Sequence, residues 1–530
     1  MKEKVIKIVK KVYKEFEEIG NEFKNIIEYS EKRSFILLMT FIILVVCHGY
    51  LLFNSNVGID TDVFVNNPTN NYNWIENGRF GLILEKNILN LNSFNMFYAE
   101  VLTIIFLFIF CLLCYYAIYR LSGKDIKNLN LILPLICFTN PIWAEAFIFV
   151  IQIAEISLGL IFVILSNLLI YKGALEKNKI STIIGTLLLF LVMATYQSFI
   201  AVYIAICIIF FILVIENENI KLEKFDIIKL ALFVSITFII AFAGYQIVLK
   251  ILNIESTYLV NAWKTAARKK DVLKNIYYHC KSIIIGEGIF YNIGLIISLI
   301  TMGIIGIYNS IKNKKLENKF LKFIYYCTYI AFCMTPFLLT IYIGQSSFVR
   351  AEIYIPIIEA FAVLYTVTFI KEKINKRIVN FALILFICYL GMNQAYYLES
   401  LYYTDYLTRE RDKELVYQIG HDIAEAGAEL EDKLYFYGHY NGLDNNSIIR
   451  GQLIGTSAFE YSHTTDPMYY WSTQTIVYLL RAYGYKYNWA EPEMAREAKN
   501  IASPESVPWW PEKEGIIKCD DYWIIKINPF

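Results

Sequence analysis

The sequence has few charged residues for its length, and this scarcity excludes most soluble folds. Charged side chains make up 18% of the 530 residues, whereas hydrophobic side chains make up 57%. Soluble domains carry about a quarter charged residues. The formal net charge is +1, so the sequence does not predict the basic surface that attracts nucleic acid. These proportions indicate a membrane protein.

The sequence also lacks the short motifs of several enzyme classes. It contains no P-loop, no dinucleotide-binding glycine motif, no HExxH zinc motif and no Ser-His-Asp motif. Its single CxxC motif, at Cys111 and Cys114, lies in an apolar run, where cysteine behaves as a small hydrophobic residue. Cys280 and Cys519 fall outside the apolar runs, and the sequence leaves open whether they form a disulfide.

The first 34 residues are strongly charged and contain no long apolar run. A cleavable signal peptide would have its apolar core much earlier, so none is expected. We interpret residues 1–34 as a basic amphipathic helix on the cytoplasmic membrane face. A solvated helix that precedes the first span is the alternative.

Long apolar runs fill most of the following chain. A helix needs about 20 apolar residues to cross a membrane. The runs predict a mainly α, polytopic membrane protein with about eleven transmembrane helices. They lie near 35–53, 99–119, 131–149, 151–170, 181–196, 199–215, 227–251, 289–311, 322–343, 356–370 and 378–398.

Lysine and arginine concentrate in every second connection, which predicts the orientation of the spans. With the N-terminus in the cytoplasm, the transmembrane domain at 35–398 places its loops 54–98 and 252–288 outside the cell. The loop 252–288 is itself basic, which favours a helix lying against anionic headgroups. Residues 399–530 are predicted to form a small extracytoplasmic α/β domain.

A polar segment, GIDTDVFVNNPTNNYNWIENGRFG, follows the first span, and we refer to residues 58–81 as the first-loop segment. In an extended chain its residues Asp60 and Asp62 would share one face. They could remove a proton from an acceptor hydroxyl, or hold a divalent cation through their oxygens. The alternative is that the aspartates only mark the water boundary. We expect Asn73, Trp74 and Arg79 to bind a sugar by hydrogen bonding and stacking.

Charged and polar residues elsewhere provide further candidates for substrate binding. Glu155 lies in a span, where an ionisable group usually faces a cavity. Tyr196 and Gln197 form a polar break between two spans, although an ordinary turn would look the same. Arg350 precedes the tenth span and could bind a phosphate through two hydrogen bonds, or anchor the chain at the headgroups.

Lys269 and Lys270 belong to the basic loop 252–288. The simpler interpretation is that they contact anionic headgroups. The more specific interpretation is that Lys269 and Lys270 also bind the phosphate of a lipid-linked substrate.

The order of the motifs resembles the GtrII-type family of bacterial membrane glucosyltransferases. The resemblance rests on a first span followed by GIDTD, NWIENGRFG and, after later spans, TYQS, and it extends over about residues 40–400. It implies a GT-C-type fold in the cell membrane. It also implies transfer of a hexose, typically glucose, from a polyprenyl-phosphate donor to a surface polysaccharide outside the membrane. The family's acidic residue would correspond to Asp60 or Asp62. The arginine that precedes a late span in related lipid-phosphate-sugar enzymes would correspond to Arg350.

Two other functions remain as alternatives to this interpretation. A polysaccharide polymerase or ligase would have similar spans and would use a lipid-linked oligosaccharide as donor. A transporter would show inverted repeats and charges at the membrane midplane, whereas the polar residues here gather near one end of the spans.

Overall fold

The fold is described from a computed structural model. It describes residues 2–527, except 55, 56, 59, 68–71, 94, 221–223, 255–270, 313–318, 375, 441, 444, 462–465 and 467. Side chains are not described at residues 2–9, 72, 224 and 225. The predicted residues Lys269 and Lys270 therefore lie outside the described part of the chain.

Helices account for most of the described residues. They are α1 (Lys2–Glu31), α2 (Ser34–Phe53), α3 (Thr61–Asn66), α4 (Tyr72–Glu76), α5 (Phe80–Leu89), α6 (Met96–Ser122), α7 (Ile132–Cys137), α8 (Ile142–Phe147), α9 (Ile153–Glu176), α10 (Lys179–Thr195), α11 (Phe199–Glu216), α12 (Lys224–Ile251), α13 (Val272–Ile285), α14 (Ile293–Lys312), α15 (Lys319–Met334), α16 (Leu338–Ile343), α17 (Tyr354–Ile374), α18 (Arg377–Glu425), α19 (Tyr470–Ala482) and α20 (Pro492–Ala502).

Nine segments of the described chain are long and apolar enough to cross a membrane. They are α2, α6, α9 with its preceding turn, α11, α12, α14, α15 with α16, α17 and α18. The prediction of a polytopic, mainly α membrane protein is confirmed. Two of the eleven predicted spans differ. The run 181–196 is the shorter apolar helix α10, and the run 131–149 is split into α7 and α8 by a turn at 138–141.

The break at 138–141 follows from local chemistry. Pro141 has no backbone N–H to continue a helix from the preceding turn. The side chain of Asn140 accepts a hydrogen bond from the backbone N–H of Ile142 at 3.0 Å, which starts α8 in a new direction. The buried end of α8 therefore lies among the other helices, where Trp143 is fully buried.

The helices α9, α6, α10 and α11 pack together as the centre of the bundle. Hydrogen-bonding side chains start two of them: Asn95 accepts from the N–H of Tyr98 at 3.1 Å, and Asn178 accepts from the N–H of Ser181 at 2.8 Å. Such caps satisfy backbone donors at a helix start. The end of α10 and the first residues of α9 and α11 lie at one end of the bundle, where Gln152 and Gln197 both contact the first-loop segment, residues 58–81.

The C-terminal part contains a four-stranded sheet. Its strands are β1 (Lys433–Gly438), β2 (Asn488–Trp489), β3 (Ile516–Lys518) and β4 (Tyr522–Ile527), in the order β2-β1-β4-β3. Strand β1 runs parallel to β2 and β4, whereas β3 and β4 form an antiparallel pair. Strand β1 lies within the aromatic segment KLYFYGHY (433–440), and α19 overlaps the apolar segment QTIVYLLRAYGY (474–485). The helix α18 has 49 residues and crosses the predicted boundary at 399 without interruption.

Candidate active site

The first-loop segment is held against the end of α10 by close packing. A Cβ atom on Gly81 would lie 2.8 Å from the carbonyl carbon of Ala194, so only glycine permits this approach. The hydroxyl of Thr195 donates to Glu85 Oε1 at 2.7 Å on the next turn of α5. These contacts fix where the segment leaves the membrane domain.

The two aspartates of the segment do not share a face, so the prediction from an extended chain is wrong. The backbone N–H groups of Thr61 and Asp62 both donate to the carbonyl of Gly58, at 3.1 and 3.3 Å, and α3 begins there. Residues two apart in a helical turn point in different directions. Asp62 is 3% exposed, whereas Asp60 is exposed to solvent.

Asp60 has an unusual backbone conformation. Its φ of 65° lies in the left-handed region, which aspartate tolerates better than most residues do. The conformation turns the chain into α3 and leaves the Asp60 carboxylate pointing outward. Residues in this region often occur at functional sites.

Asp62 is a buried carboxylate whose side-chain oxygens lack a hydrogen-bond partner in the described part of the chain. Burial raises its pKa to about 7, and the nearby Asp60 acts in the same direction. The backbone N–H groups of Val63 and Asp62 and the guanidinium of Arg409 oppose this shift without cancelling it. A carboxyl group with a pKa near neutrality is typical of sites that exchange protons.

Asp60 lies within electrostatic range of two arginines. Loss of surrounding water raises its pKa, while the guanidinium groups of Arg350 and Arg79 pull it back towards the ordinary value. The Asp60 side chain reaches solvent, yet neighbouring protein displaces enough water to leave the pKa raised. Three of the residues predicted as functional are therefore brought together.

Arg350 is held by aromatic rings. Its guanidinium carbon lies 4.6 Å from the ring centre of Phe149 and 4.7 Å from that of Phe348. It forms no ion pair within 4.0 Å with any residue that the structure describes. The charge is thus oriented by stacking and remains available to an anion.

The loop that carries Arg350 is fixed by a buried carboxylate that the sequence analysis missed. Glu352 accepts hydrogen bonds from the Tyr291 hydroxyl at 2.6 Å and from Ser347, and it pairs with His279 Nε2 at 2.8 Å. The sequence signal was an acidic residue directly before an apolar span. Because His279 lies on α13, this contact joins the described part of the basic loop to the Arg350 loop.

Arg79 lies beside the Tyr196–Gln197 turn. Arg79 donates to Gln152 Oε1 at 3.0 Å, and its guanidinium carbon lies 4.9 Å from the Tyr196 ring centre. Gln197 donates to the carbonyl of Asn77 at 2.6 Å and to the Tyr245 hydroxyl at 3.1 Å. The polar break between α10 and α11 therefore contacts the first-loop segment through both Tyr196 and Gln197.

The other predicted residues lie in different surroundings. Asn73 is exposed, whereas Trp74 is buried against Phe64 with ring centres 5.4 Å apart, so its ring is covered by protein. Glu155 is 1% exposed and pairs with Lys86 Nζ at 2.8 Å, so the structure gives it a buried ion pair in place of the predicted cavity. Lys86 was not identified from the sequence, because the pairing joins residues far apart in the chain.

The C-terminal part contacts the site directly. Glu145 on α8 accepts from the backbone N–H groups of Leu453 at 2.9 Å and Ile454 at 3.3 Å. The side chain of Asn66 on α3 donates to the carbonyl of Tyr478 at 3.0 Å. The Asn66 contact joins the C-terminal part to the first-loop segment, and the Glu145 contact joins it to α8.

A buried arginine links the long helix to the same region. Arg409 donates to Asp412 at 3.1 Å, to Asp405 at 3.3 Å and to the carbonyl of Thr456 at 2.9 Å. A Cβ atom on Gly58 would lie 3.9 Å from Arg409 Nε, so the first-loop segment passes beside this group. Arg409 was not predicted from the sequence, because charges in a long helix usually face water.

The aspartate pair also allowed a divalent cation site. Over the described ranges, no group of three or more His, Cys, Asp or Glu side chains is arranged to hold a metal ion. Asp62 is buried whereas Asp60 is exposed, so the two carboxylates lie in different surroundings. The arrangement instead offers one accessible carboxylate, one buried carboxyl group and two guanidinium groups.

Comparison with known proteins gave one match. A family model described as Glucosyl transferase GtrII matches residues 49–367, which include the first-loop segment and Arg350. No curated protein and no solved structure matches the chain.

Proposed function

Because the chain belongs to the GtrII glucosyltransferase family, we propose that it moves a glucosyl residue from a polyprenyl-phosphate sugar to a cell-surface polysaccharide. The proposed reaction takes place on the outer face of the cell membrane. The observation that carries the proposal is that Asp60 lies within electrostatic range of Arg79 and Arg350, and that Arg350 forms no ion pair within 4.0 Å among the described residues.

We assign the general base to Asp60, because its carboxylate reaches solvent where an acceptor hydroxyl can approach. Asp60 accepts the hydroxyl proton while the oxygen bonds to the anomeric carbon. The bond from that carbon to the phosphate oxygen breaks, and the configuration inverts. The phosphate leaves with the electron pair, already charged, so it needs no proton from a second carboxyl group.

Arg350 is assigned to the phosphate of the donor. Its guanidinium can form two parallel hydrogen bonds to phosphate oxygens, and stacking on Phe149 and Phe348 holds it for that geometry. Charge that develops on the leaving phosphate is then stabilised by a group already in place. Arg79 also lies within electrostatic range of Asp60, and we assign it to the sugar or the phosphate.

We assign to Asp62 the role of modulating the proton affinity of Asp60. When Asp62 is ionised, its negative charge makes Asp60 a stronger proton acceptor. Since the pKa of Asp62 is about 7, this influence changes across the neutral range.

The outer location rests on the distribution of lysine and arginine. The connections at the opposite end of the bundle, such as 120–127 and 371–377, are rich in these residues, and such loops usually stay in the cytoplasm. The C-terminal part then lies outside, above Asp60, where it can bind the polysaccharide.

The test uses purified protein in lipid vesicles with polyprenyl-phosphate glucose and a bacterial surface polysaccharide as acceptor. We expect radiolabelled glucose to appear in the polymer. Use of a lipid-linked oligosaccharide in place of the monosaccharide donor would overturn the proposal and favour the polymerase or ligase interpretation.

A further inference from the structure

A cavity of about 640 Å³ lies at the end of the bundle opposite the candidate active site. It opens between the final residues of α6, α11, α14 and α17. The helix α11 begins beside Gln197 and ends at Glu216, and its 18 residues separate the two regions by about 27 Å. The volume falls in the range of about 300–1,000 Å³ that small-molecule sites occupy. Nothing in the proposed reaction uses this cavity.

The walls of the cavity are largely apolar. They consist of aliphatic and aromatic side chains from three helices and one connection, namely Ile118, Ile126, Leu213, Phe361, Leu364 and Phe369. Surfaces of this kind bind alkyl chains by removing them from water. The rim of the same cavity is charged, so the whole is amphipathic.

Two lysines at the rim rest on a pair of touching aromatic rings. Lys312 Nζ lies 4.8 Å from the Tyr308 ring centre, and Lys373 Nζ lies 6.0 Å from that of Phe369. The two rings are 5.4 Å apart. Neither ammonium group has a carboxylate within 4.0 Å among the residues that the structure describes. Two like charges held over neighbouring rings are stabilised by an anion that binds near both of them.

Two of the three acidic side chains that line the cavity already have hydrogen-bond or ion-pair partners. Glu372 pairs with Lys124 at 2.9 Å. Glu216 accepts hydrogen bonds from several tyrosine hydroxyls, including those of Tyr329 and Tyr365 at 2.7 Å. These bonds hold the Glu216 charge in place at the edge of the cavity, and neither Glu216 nor Glu372 lies within 4.0 Å of the ammonium groups of Lys312 and Lys373.

A polar atom inside the cavity also lacks a partner. The hydroxyl oxygen of Thr368 is buried and makes no hydrogen bond within the described part of the chain. Thr368 lies on α17 between the apolar wall and Lys373. Glu218 is the remaining acidic residue of the rim, and it is exposed to solvent.

We propose that this cavity binds an anionic membrane lipid. The lipid phosphate lies between Lys312 and Lys373, and Thr368 donates a hydrogen bond to it. One hydrocarbon chain follows the apolar wall formed by Phe361 and Leu364. Basic pockets between transmembrane helices are known sites for anionic lipid headgroups.

The experiment measures the thermal stability of the full-length protein in nanodiscs of phosphatidylglycerol or phosphatidylcholine, because a bound ligand raises the melting temperature. The test variants are the double substitution Lys312→Gln with Lys373→Gln, and Leu364→Trp, which fills the wall without changing charge. The control is Lys319→Gln with Lys371→Gln, which removes two exposed lysines near the same rim that do not line the cavity.

We expect phosphatidylglycerol to raise the melting temperature of the original protein and of the control by several degrees. The double variant and Leu364→Trp should lose most of that rise, and native mass spectrometry should show at least a tenfold lower occupancy by phosphatidylglycerol. An equal loss in the control would overturn the proposal, because general surface charge would then account for the effect. In the remaining measurement, inorganic phosphate is added to the protein in detergent. A rise in melting temperature equal to that with phosphatidylglycerol would overturn the assignment to a lipid.

Discussion

Asp62→Asn should change how the stability of the protein depends on pH. The pKa of Asp62 is raised from 3.8 to about 7 in the folded protein, mainly because the carboxyl group is buried. The folded state therefore holds a proton that the unfolded chain has released, and stability falls as pH rises from about 4 to about 7. Above about pH 7 the whole cost of burying the charge is present.

The magnitude follows from the difference between the two pKa values. Each unit corresponds to about 1.4 kcal/mol, so the full cost is at most about 4 kcal/mol. Between about pH 5 and about pH 9 the change in unfolding free energy from this group is about 2–3 kcal/mol. The asparagine side chain introduced by Asp62→Asn has the same shape but does not ionise, so this part of the pH dependence should disappear.

The assay is thermal unfolding in detergent across this pH range. Relative to the original protein, Asp62→Asn should be more stable near pH 9, and the gain should shrink towards pH 5. Asp520→Asn, at an exposed turn of the C-terminal part, is the matched control and should leave the profile unchanged. An Asp62→Asn profile parallel to that of the original protein would refute the claim that a buried, unpartnered carboxyl group titrates there.

Further variants test the remaining contacts of the site. Arg350→Gln should raise the KM for the lipid-phosphate donor about 10- to 100-fold, because charged hydrogen bonds contribute about 1.5–3 kcal/mol. Arg350→Lys should recover only part of the lost donor affinity. An unchanged KM would contradict the phosphate assignment. Lys86→Met should cost about 3–5 kcal/mol of unfolding free energy, because it leaves Glu155 buried without its partner. Adding Glu155→Leu should restore much of the lost stability. Equal stability of the single and double variants would argue against a Lys86–Glu155 ion pair. Glu145→Ala should increase hydrogen exchange at 452–454, where it removes the acceptor of the backbone bonds, and unchanged exchange would show that the contact does not hold this loop.

The spans were predictable because long apolar runs report directly on membrane crossing. Nine segments of the described chain have the necessary length and composition, and the two predicted runs that differ are those where a helix is short or is broken near Pro141. The strands near the C-terminus were predictable because their alternation and aromatic content fit a partly buried sheet. These features depend on neighbouring residues alone.

The geometry of the site was less predictable because it depends on contacts across the chain. Asp60, Arg79 and Arg350 were identified as polar residues at the ends of spans, and they do lie together. The left-handed conformation of Asp60, which sends Asp62 inward, has no clear signal in the sequence. The hydrogen bonds to Glu352 join three distant segments, and no local pattern in the sequence indicates which partners an isolated acidic residue will contact.

The most direct test of the proposed mechanism replaces Asp60 with asparagine and measures glucose transfer and donor binding in the same preparation. Asp60→Asn should lower the rate of transfer at least about a hundredfold, because positioned proton transfer contributes about 10²–10⁴ to a rate. Binding of polyprenyl-phosphate glucose should change little, since Arg350 is intact, and Asp62→Asn should retain more activity with a shifted pH profile. Full transfer activity in Asp60→Asn would contradict the assignment of the base.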